Sequence, residues 1–203
     1  MSGRKQFDVD VALGQAMTAF WERGFAATSL DVLSAATGLG RGSLYGTYGS
    51  KDGLFRQALQ RYADHYGARY DAALEAQAGE PVAAVRAFFA VTLARIVDPD
   101  VPTGCLLAQS AAEAAILSAE SRDFVQAQLR RQNQRVRTAL VAGGLARKEA
   151  EELTSLVVAV NQSLAVLSRS GTSPRELRTV VRATCTAVQN VAEKLAAEGL
   201  APA

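Results

Sequence analysis

Between Thr28 and Lys51 the chain collects hydroxyls and cations in a pattern suited to holding an anion. Arg41, Ser43, Tyr45 and Thr47 fall on the outward side of a short helix predicted over 41–48, because Leu44 and Tyr48, four residues apart, occupy the side turned to the body of the domain. Ahead of it, Leu30, Leu33 and Ala36 follow helical spacing. Thr28 or Ser29 can accept from the free N–H groups of that helix's first turn, and Asp31 adds favourable negative charge there. Gly38 is placed to end it, since glycine enters φ > 0 without a Cβ clash. Helix, glycine turn, helix is the helix-turn-helix plan, whose second helix enters the DNA major groove.

Lys51 points the same way. Ser50 can cap a long third helix, which leaves Lys51 at its positive end, where a cation costs about 0.3–1 kcal/mol. A phosphate docked on the free N–H groups and the ammonium reverses that cost.

These groups need a rigid mount. Asp8 can cap a first helix whose Val9, Ala12, Leu13, Ala16, Met17 and Phe20 follow helical spacing, and Gly24 ends it. Trp21 and Phe25 are expected to close a small core with Leu30, Leu44 and Tyr48. Ahead of this head, Arg4 and Lys5 read as a disordered tail, with contact to phosphate or the minor groove as the alternative. From Lys51 to about Ala76 one helix runs through Leu54, Phe55, Ala58, Leu59, Tyr62 and Tyr66, long enough to leave the head and join the rest of the chain. Tyr62, Tyr66 and Tyr70 recur every four residues and read as packing residues, a ligand-stacking ladder being the alternative. His65, the only histidine, is expected to face solvent.

Thr28-Ser29-Leu30, Gly38-Leu39-Gly40-Arg41-Gly42-Ser43-Leu44-Tyr45, Tyr48-Gly49-Ser50-Lys51 and Leu54-Phe55 together resemble the DNA-binding domain of TetR-family transcriptional repressors, densely from about Phe7 to Phe55. Pro102-Thr103-Gly104-Cys105-Leu106-Leu107 resembles a subset of that family. Where many relatives carry His-His and then Phe, this chain has Gly46-Thr47 and then Tyr48, and Gly49 replaces a common proline. These departures bear on which bases are read. The resemblance implies an all-α fold with a helix-turn-helix DNA-binding domain over 1–53 and a helical ligand-binding and dimerisation domain over 54–203. It implies that Arg41, Ser43, Tyr45 and Thr47 face the groove, Arg41 reading a base edge, preferably guanine O6/N7. Tyr45, Thr28 and Lys51 would hold phosphates beside Ser29, and Gly42 would let the backbone come close to DNA. It further implies a small-molecule pocket among the helices from about 55 to 170. Candidates there are Phe88, Phe89, Leu106, Leu107, Gln109, Ser110, Glu113, Asn161 and Gln162, apolar walls with a few polar groups, with core packing as the alternative for each.

The remaining chain fits such a domain. Gly79-Glu80-Pro81 breaks the helical pattern, which resumes through Val82, Val85, Phe88, Phe89, Leu93 and Ile96. A proline-bearing loop over 98–104 precedes the apolar segment Cys105 to Leu117. A helix from about Glu120 to Ala142 carries the polar belt Arg130-Arg131-Gln132-Asn133-Gln134-Arg135, read as a solvated face rather than a second nucleic-acid site. The last two helices are apolar nearly all round, so both their sides require cover. A two-fold dimer through a four-helix bundle supplies it, with Val157, Val160, Leu164, Leu167, Val181, Cys185 and Val188 as the expected interface.

Composition narrows the function classes. The 203 residues are 49% hydrophobic and 21% charged, which suits a globular chain with a real core, and the few prolines without alternating strand patterns favour helices throughout. A net charge of +2 is not that of a bulk nucleic-acid binder, and over residues 1–53 Arg4, Lys5, Arg23, Arg41 and Lys51 are balanced by Asp8, Asp10, Glu22, Asp31 and Asp52. DNA affinity must come from a local basic face. Cys105 and Cys185 make no secreted disulfide framework, and no signal-peptide run or membrane-length apolar stretch is present, so a cytoplasmic protein without a membrane partner is expected. Gly38-x-Gly40-x-Gly42 follows a helix rather than a strand, and no nucleophile–base arrangement or metal cluster can be assembled, which argues against an enzyme and against a cofactor. A thiol sensor at Cys105 is a third class, since a helix start lowers a thiol pKa. The expected protein is a homodimeric regulator of an inverted-repeat operator, a repressor released by a small-molecule effector.

Overall fold

The computed structural model describes residues 8–197, so Arg4, Lys5 and Phe7 lie outside the described residues. The elements are α1 (Val9–Ala27), α2 (Leu30–Thr37), α3 (Arg41–Tyr48), α4 (Lys51–Glu75), α5 (Pro81–Val97), α6 (Leu106–Ala112), a 3-10 turn (Ala114–Ile116), α7 (Ala119–Ala142), α8 (Arg147–Arg169) and α9 (Pro174–Ala197). No strand occurs among the described residues, and no helix among them is long and apolar enough to cross a membrane.

The head is built by the caps its sequence announces. Asp8 accepts from the N–H groups of Asp10 and Val11, Ser29 from Val32 and Ser50 from Gly53, so each of α1, α2 and α4 starts on a satisfied first turn. Phe20, Trp21, Leu33, Leu44, Tyr48 and Phe55 are buried between these helices. Trp21 stands edge-on to Tyr62 and Tyr66, with ring centroids 4.9 and 5.8 Å away. At about 1.5 Å per residue α4 is roughly 37 Å long. It leaves the head and packs against α5 and α7 in the body, where α5 also lies on α8 and α9.

Gly24 interrupts α1 with φ 81° and ψ 175°, a conformation reserved for glycine. A Cβ there would stand 2.7 Å from both Gln109 Nε2 and Glu113 Oε1. Gly24→Ala is therefore expected to cost about 1–3 kcal/mol from backbone strain, with the clash in addition. Thermal unfolding should show a lowered midpoint.

Two expectations are corrected here. Val157, Leu164, Val181, Cys185 and Val188 are buried within one protomer, while Val160 and Leu167 are partly buried against the same core. The five buried ones hold the body together and have no surface to offer a partner, whereas Val160 and Leu167 keep part of theirs. The side of α8 that remains open carries Leu156 and Val166, 40% and 65% exposed, with Ala159 and Ser163 between them. The polar belt on α7 is split as well. Arg130, Arg131, Asn133 and Gln134 are exposed, but Gln132 accepts from Gln162 Nε2 at 2.9 Å and Arg135 grips Asp71 of α4 through Nε and Nη2, at 2.6 and 3.0 Å. A helix turns only some of six successive residues to solvent.

Candidate nucleic-acid interface and the cavity behind it

α3 presents the expected outer side: Arg41, Gly42, Ser43, Tyr45, Gly46 and Thr47 are exposed, whereas Leu44 and Tyr48 are buried. The Tyr48 hydroxyl donates to the Val9 carbonyl at 3.2 Å, pinning the end of α3 to the start of α1. A Cβ added at Gly42 or Gly46 would meet nothing within 4 Å, so these glycines lower the surface and let a docked molecule approach the backbone. Arg41 is exposed and donates from Nη2 and Nε to Asp31 Oδ1 at 2.6 and 3.2 Å, a pair that raises the guanidinium pKa.

Other residues of the predicted set sit differently. Thr28 is fully buried, and its hydroxyl donates to the carbonyls of Gly24 at 2.6 Å and Ala19 at 3.3 Å, so it braces the break in α1 and has no hydroxyl to offer a phosphate. Ser29 is exposed, with its oxygen engaged as the α2 cap. Lys51 stands at the start of α4, but its ammonium lies 4.2 Å from the centroid of the Phe25 ring. Partial burial lowers its pKa, with Glu113 pulling the other way. To reach a phosphate, Lys51 must swing off that ring.

Behind the head, Glu113 accepts from the N–H groups of Phe25 and Ala26 at 2.7 and 3.2 Å, capping the strained end of α1 from the end of α6. Arg169, at the end of α8, donates to the Trp21 and Glu22 carbonyls at 3.1 and 2.7 Å and bonds to Gln109 Oε1. Gln109 and Glu113, predicted as pocket residues, are instead the clamp that joins body to head.

The cavity lies at the other end of α6. Tyr62, Tyr66, Tyr70, Arg95, Cys105, Leu107, Gln128, Gln132, Arg135 and Gln162 are among the residues that enclose about 30 Å³. Of the predicted pocket residues, Leu107 and Gln162 line it. Phe88, Phe89 and Leu106 are fully buried core. Ser110 donates back to the Leu106 carbonyl, and Asn161 accepts from Thr92 at 2.5 Å, so both are polar groups satisfied inside the packing. The tyrosines of α4, read from sequence as packing residues, form one wall, and Tyr62 donates to Cys105 Sγ at 3.3 Å. Burial pushes the Tyr62 phenol well above its ordinary range, with the Arg95 charge opposing. Arg95 itself was missed. The available signal was a cation seven residues after Phe88 and three after Thr92, on the buried side of α5.

The two halves match two family models: one for bacterial regulatory proteins of the tetR family over residues 12–58, and one for the C-terminal domain of LmrA/YxaF-like transcriptional regulators over 81–183. The chain belongs to the TetR family. Its members are DNA-binding transcriptional regulators rather than enzymes, and the family model over residues 12–58 takes in α2 and the exposed α3. Over 153 residues it is 32% identical to the uncharacterized HTH-type transcriptional regulator YezE of Bacillus subtilis (strain 168), covering 75% of this chain and 76% of that one. It is 39% identical to the HTH-type transcriptional repressor ComR of Escherichia coli (strain K12) over 103 residues, 51% of this chain and about half (49%) of the length of that relative. Among solved structures, a cysteine variant of the TetR-family regulator CifR complexed with 26bp double-strand operator DNA superposes with a TM-score of 0.81 at 31% identity, covering 90% of this chain and 98% of that one.

Proposed function

We propose that this TetR-family chain acts in the cytoplasm as a homodimeric repressor of an inverted-repeat operator and is released when a small molecule enters its body. One observation carries the release step. α6 has Cys105 against the cavity at its start and Glu113 clamped onto α1 at its end, so a shift of this seven-residue helix is delivered to the head. A ligand that binds better to the shifted arrangement lowers operator affinity, and a tenfold loss needs only about 1.4 kcal/mol of coupling.

The operator-bound CifR structure supports the DNA partner, and the exposed Leu156 and Val166 on α8 support a two-fold interface there. Two recognition helices on a two-fold axis read half-sites about one helical turn apart, or a multiple of it. In this reading 1–53 forms the DNA-binding domain and 54–203 the regulatory domain, with α4 shared between them.

Selection of bound sequences from a random DNA pool tests the reading directly. An inverted repeat at fixed spacing is expected, and a single unpaired half-site would remove the dimer from it. Within the same assay Tyr45→Phe is expected to weaken all sequences together, as loss of a phosphate donor does. A change of preferred bases would instead make Tyr45 a base reader. Glu113→Gln tests the clamp. It weakens charge-assisted acceptance from Phe25 and Ala26, so a molecule found by thermal-shift screening should release operator several-fold less well from this variant. Unchanged release would place the coupling outside α6.

A further inference from the structure

Arg95 is buried, 2% exposed, and makes no ion pair among the described residues. A guanidinium does not shed its proton in a protein, so this is a full charge held in the interior. Its surroundings supply only partial compensation. Nη1 reaches the Tyr70 hydroxyl at 3.4 Å, and the Tyr66 ring lies 5.2 Å from the guanidinium carbon. Nε and Nη2 have no acceptor among the described residues.

Those two nitrogens are a matched pair. They are the edge of the guanidinium that presents two parallel N–H bonds to a carboxylate. The same cavity wall contains a worked instance, since Arg135 binds Asp71 through its own Nε and Nη2 at 2.6 and 3.0 Å. Buried donors left unmatched are costly, more so when charged, so a planar two-oxygen anion relieves a standing penalty on entry.

We propose that Arg95 is the seat of a small organic carboxylate, bound two-pronged on its Nε–Nη2 edge within the tyrosine-walled cavity of α4, α5, α6 and α7. This rests on the effector reading above and gives the effector its chemical class. The cavity of about 30 Å³ suits a carboxylate group and little more. The rest of the acid leaves past Leu129 and Gln162, which also line an open, mainly apolar groove of about 550 Å³ with Ala108, Ala111 and Leu167. The larger groove on the other side of Tyr62 and Tyr66, about 670 Å³, has its Arg61 already paired with Asp10 and carries Asp64 as well, so it is less suited to an anion than the Arg95 edge.

Calorimetric titration of the full-length protein at fixed ionic strength tests this, using butyrate and benzoate beside their uncharged isosteres butyramide and benzamide. Each acid is expected to bind at least tenfold more tightly than its amide. Arg95→Met, which replaces a buried charge by an apolar chain of similar length, should abolish the preference, and Arg95→Lys, a charge without the fork, should keep only part of it. Should the methionine variant fail to fold, the acid-to-amide ratio of the unaltered protein still decides. Equal binding of acids and amides, or a preference that survives in Arg95→Met, overturns the proposal. Operator titrations separate the two readings. Acids that bind without weakening operator affinity leave the Arg95 site standing and end its effector role. Release by the amides, with no binding of the acids, ends the Arg95 site and leaves the effector reading standing.

Discussion

Leu164→Glu is expected to leave no folded protomer. Leu164 is fully buried, so the variant removes a packed side chain and places a carboxylate with no partner in the core of the body. The expected cost is about 4 kcal/mol or more, most of the stability of an ordinary domain. Val188→Glu, equally buried on α9, should behave alike. Val166→Glu, at an exposed position on the same helix as Leu164, should keep the protomer folded and change only its association. Circular dichroism with light scattering separates these results: lost helicity for the first two, native helicity with half the mass for the third. A Val166→Glu protein that stays dimeric would move the interface off this side of α8.

Arg41→Ala is expected to weaken binding to the selected operator by about 1–3 kcal/mol, roughly five- to 150-fold, and to relax preference at one position in each half-site. Uniform weakening across sequences would reduce Arg41 to a backbone contact. The Asp31 partner makes a second arm possible. Both members of that pair are mostly exposed, so separating them costs little and Arg41 is available to DNA. Asp31→Asn frees the guanidinium and removes a negative charge from the DNA side, and it is expected to raise operator affinity several-fold at low salt. Gel-shift or fluorescence-anisotropy titration reads both variants.

The fold was legible wherever helical spacing and caps coincide. Asp8, Ser29 and Ser50 announce α1, α2 and α4, and the outward set of α3 follows from Leu44 and Tyr48 alone. Legibility failed where the sequence specifies burial without saying what does the burying. Val157 and Leu164 are apolar at helical spacing whether they meet α5 and α9 or a second chain, and only the packing distinguishes the two. The candidate site failed for the opposite reason. Polar residues in an apolar run suggest a pocket, yet Ser110 is satisfied by its own helix, Asn161 by Thr92, and Glu113 by the end of α1. Which donors remain unmatched is a property of three dimensions, and Arg95 emerged only there.

Trp21 has a further consequence. It is the one tryptophan in the chain, it is buried, it stands edge-on to two tyrosines of the cavity wall, and its carbonyl accepts from Arg169 in the clamp. Its emission therefore senses both events that regulation must connect, the refilling of the cavity and the loosening of the head. Mixed rapidly with a ligand, the unlabelled protein should report in two phases if the tyrosine wall moves before the clamp lets go, and in a single phase if the wall and the clamp are one mechanical unit.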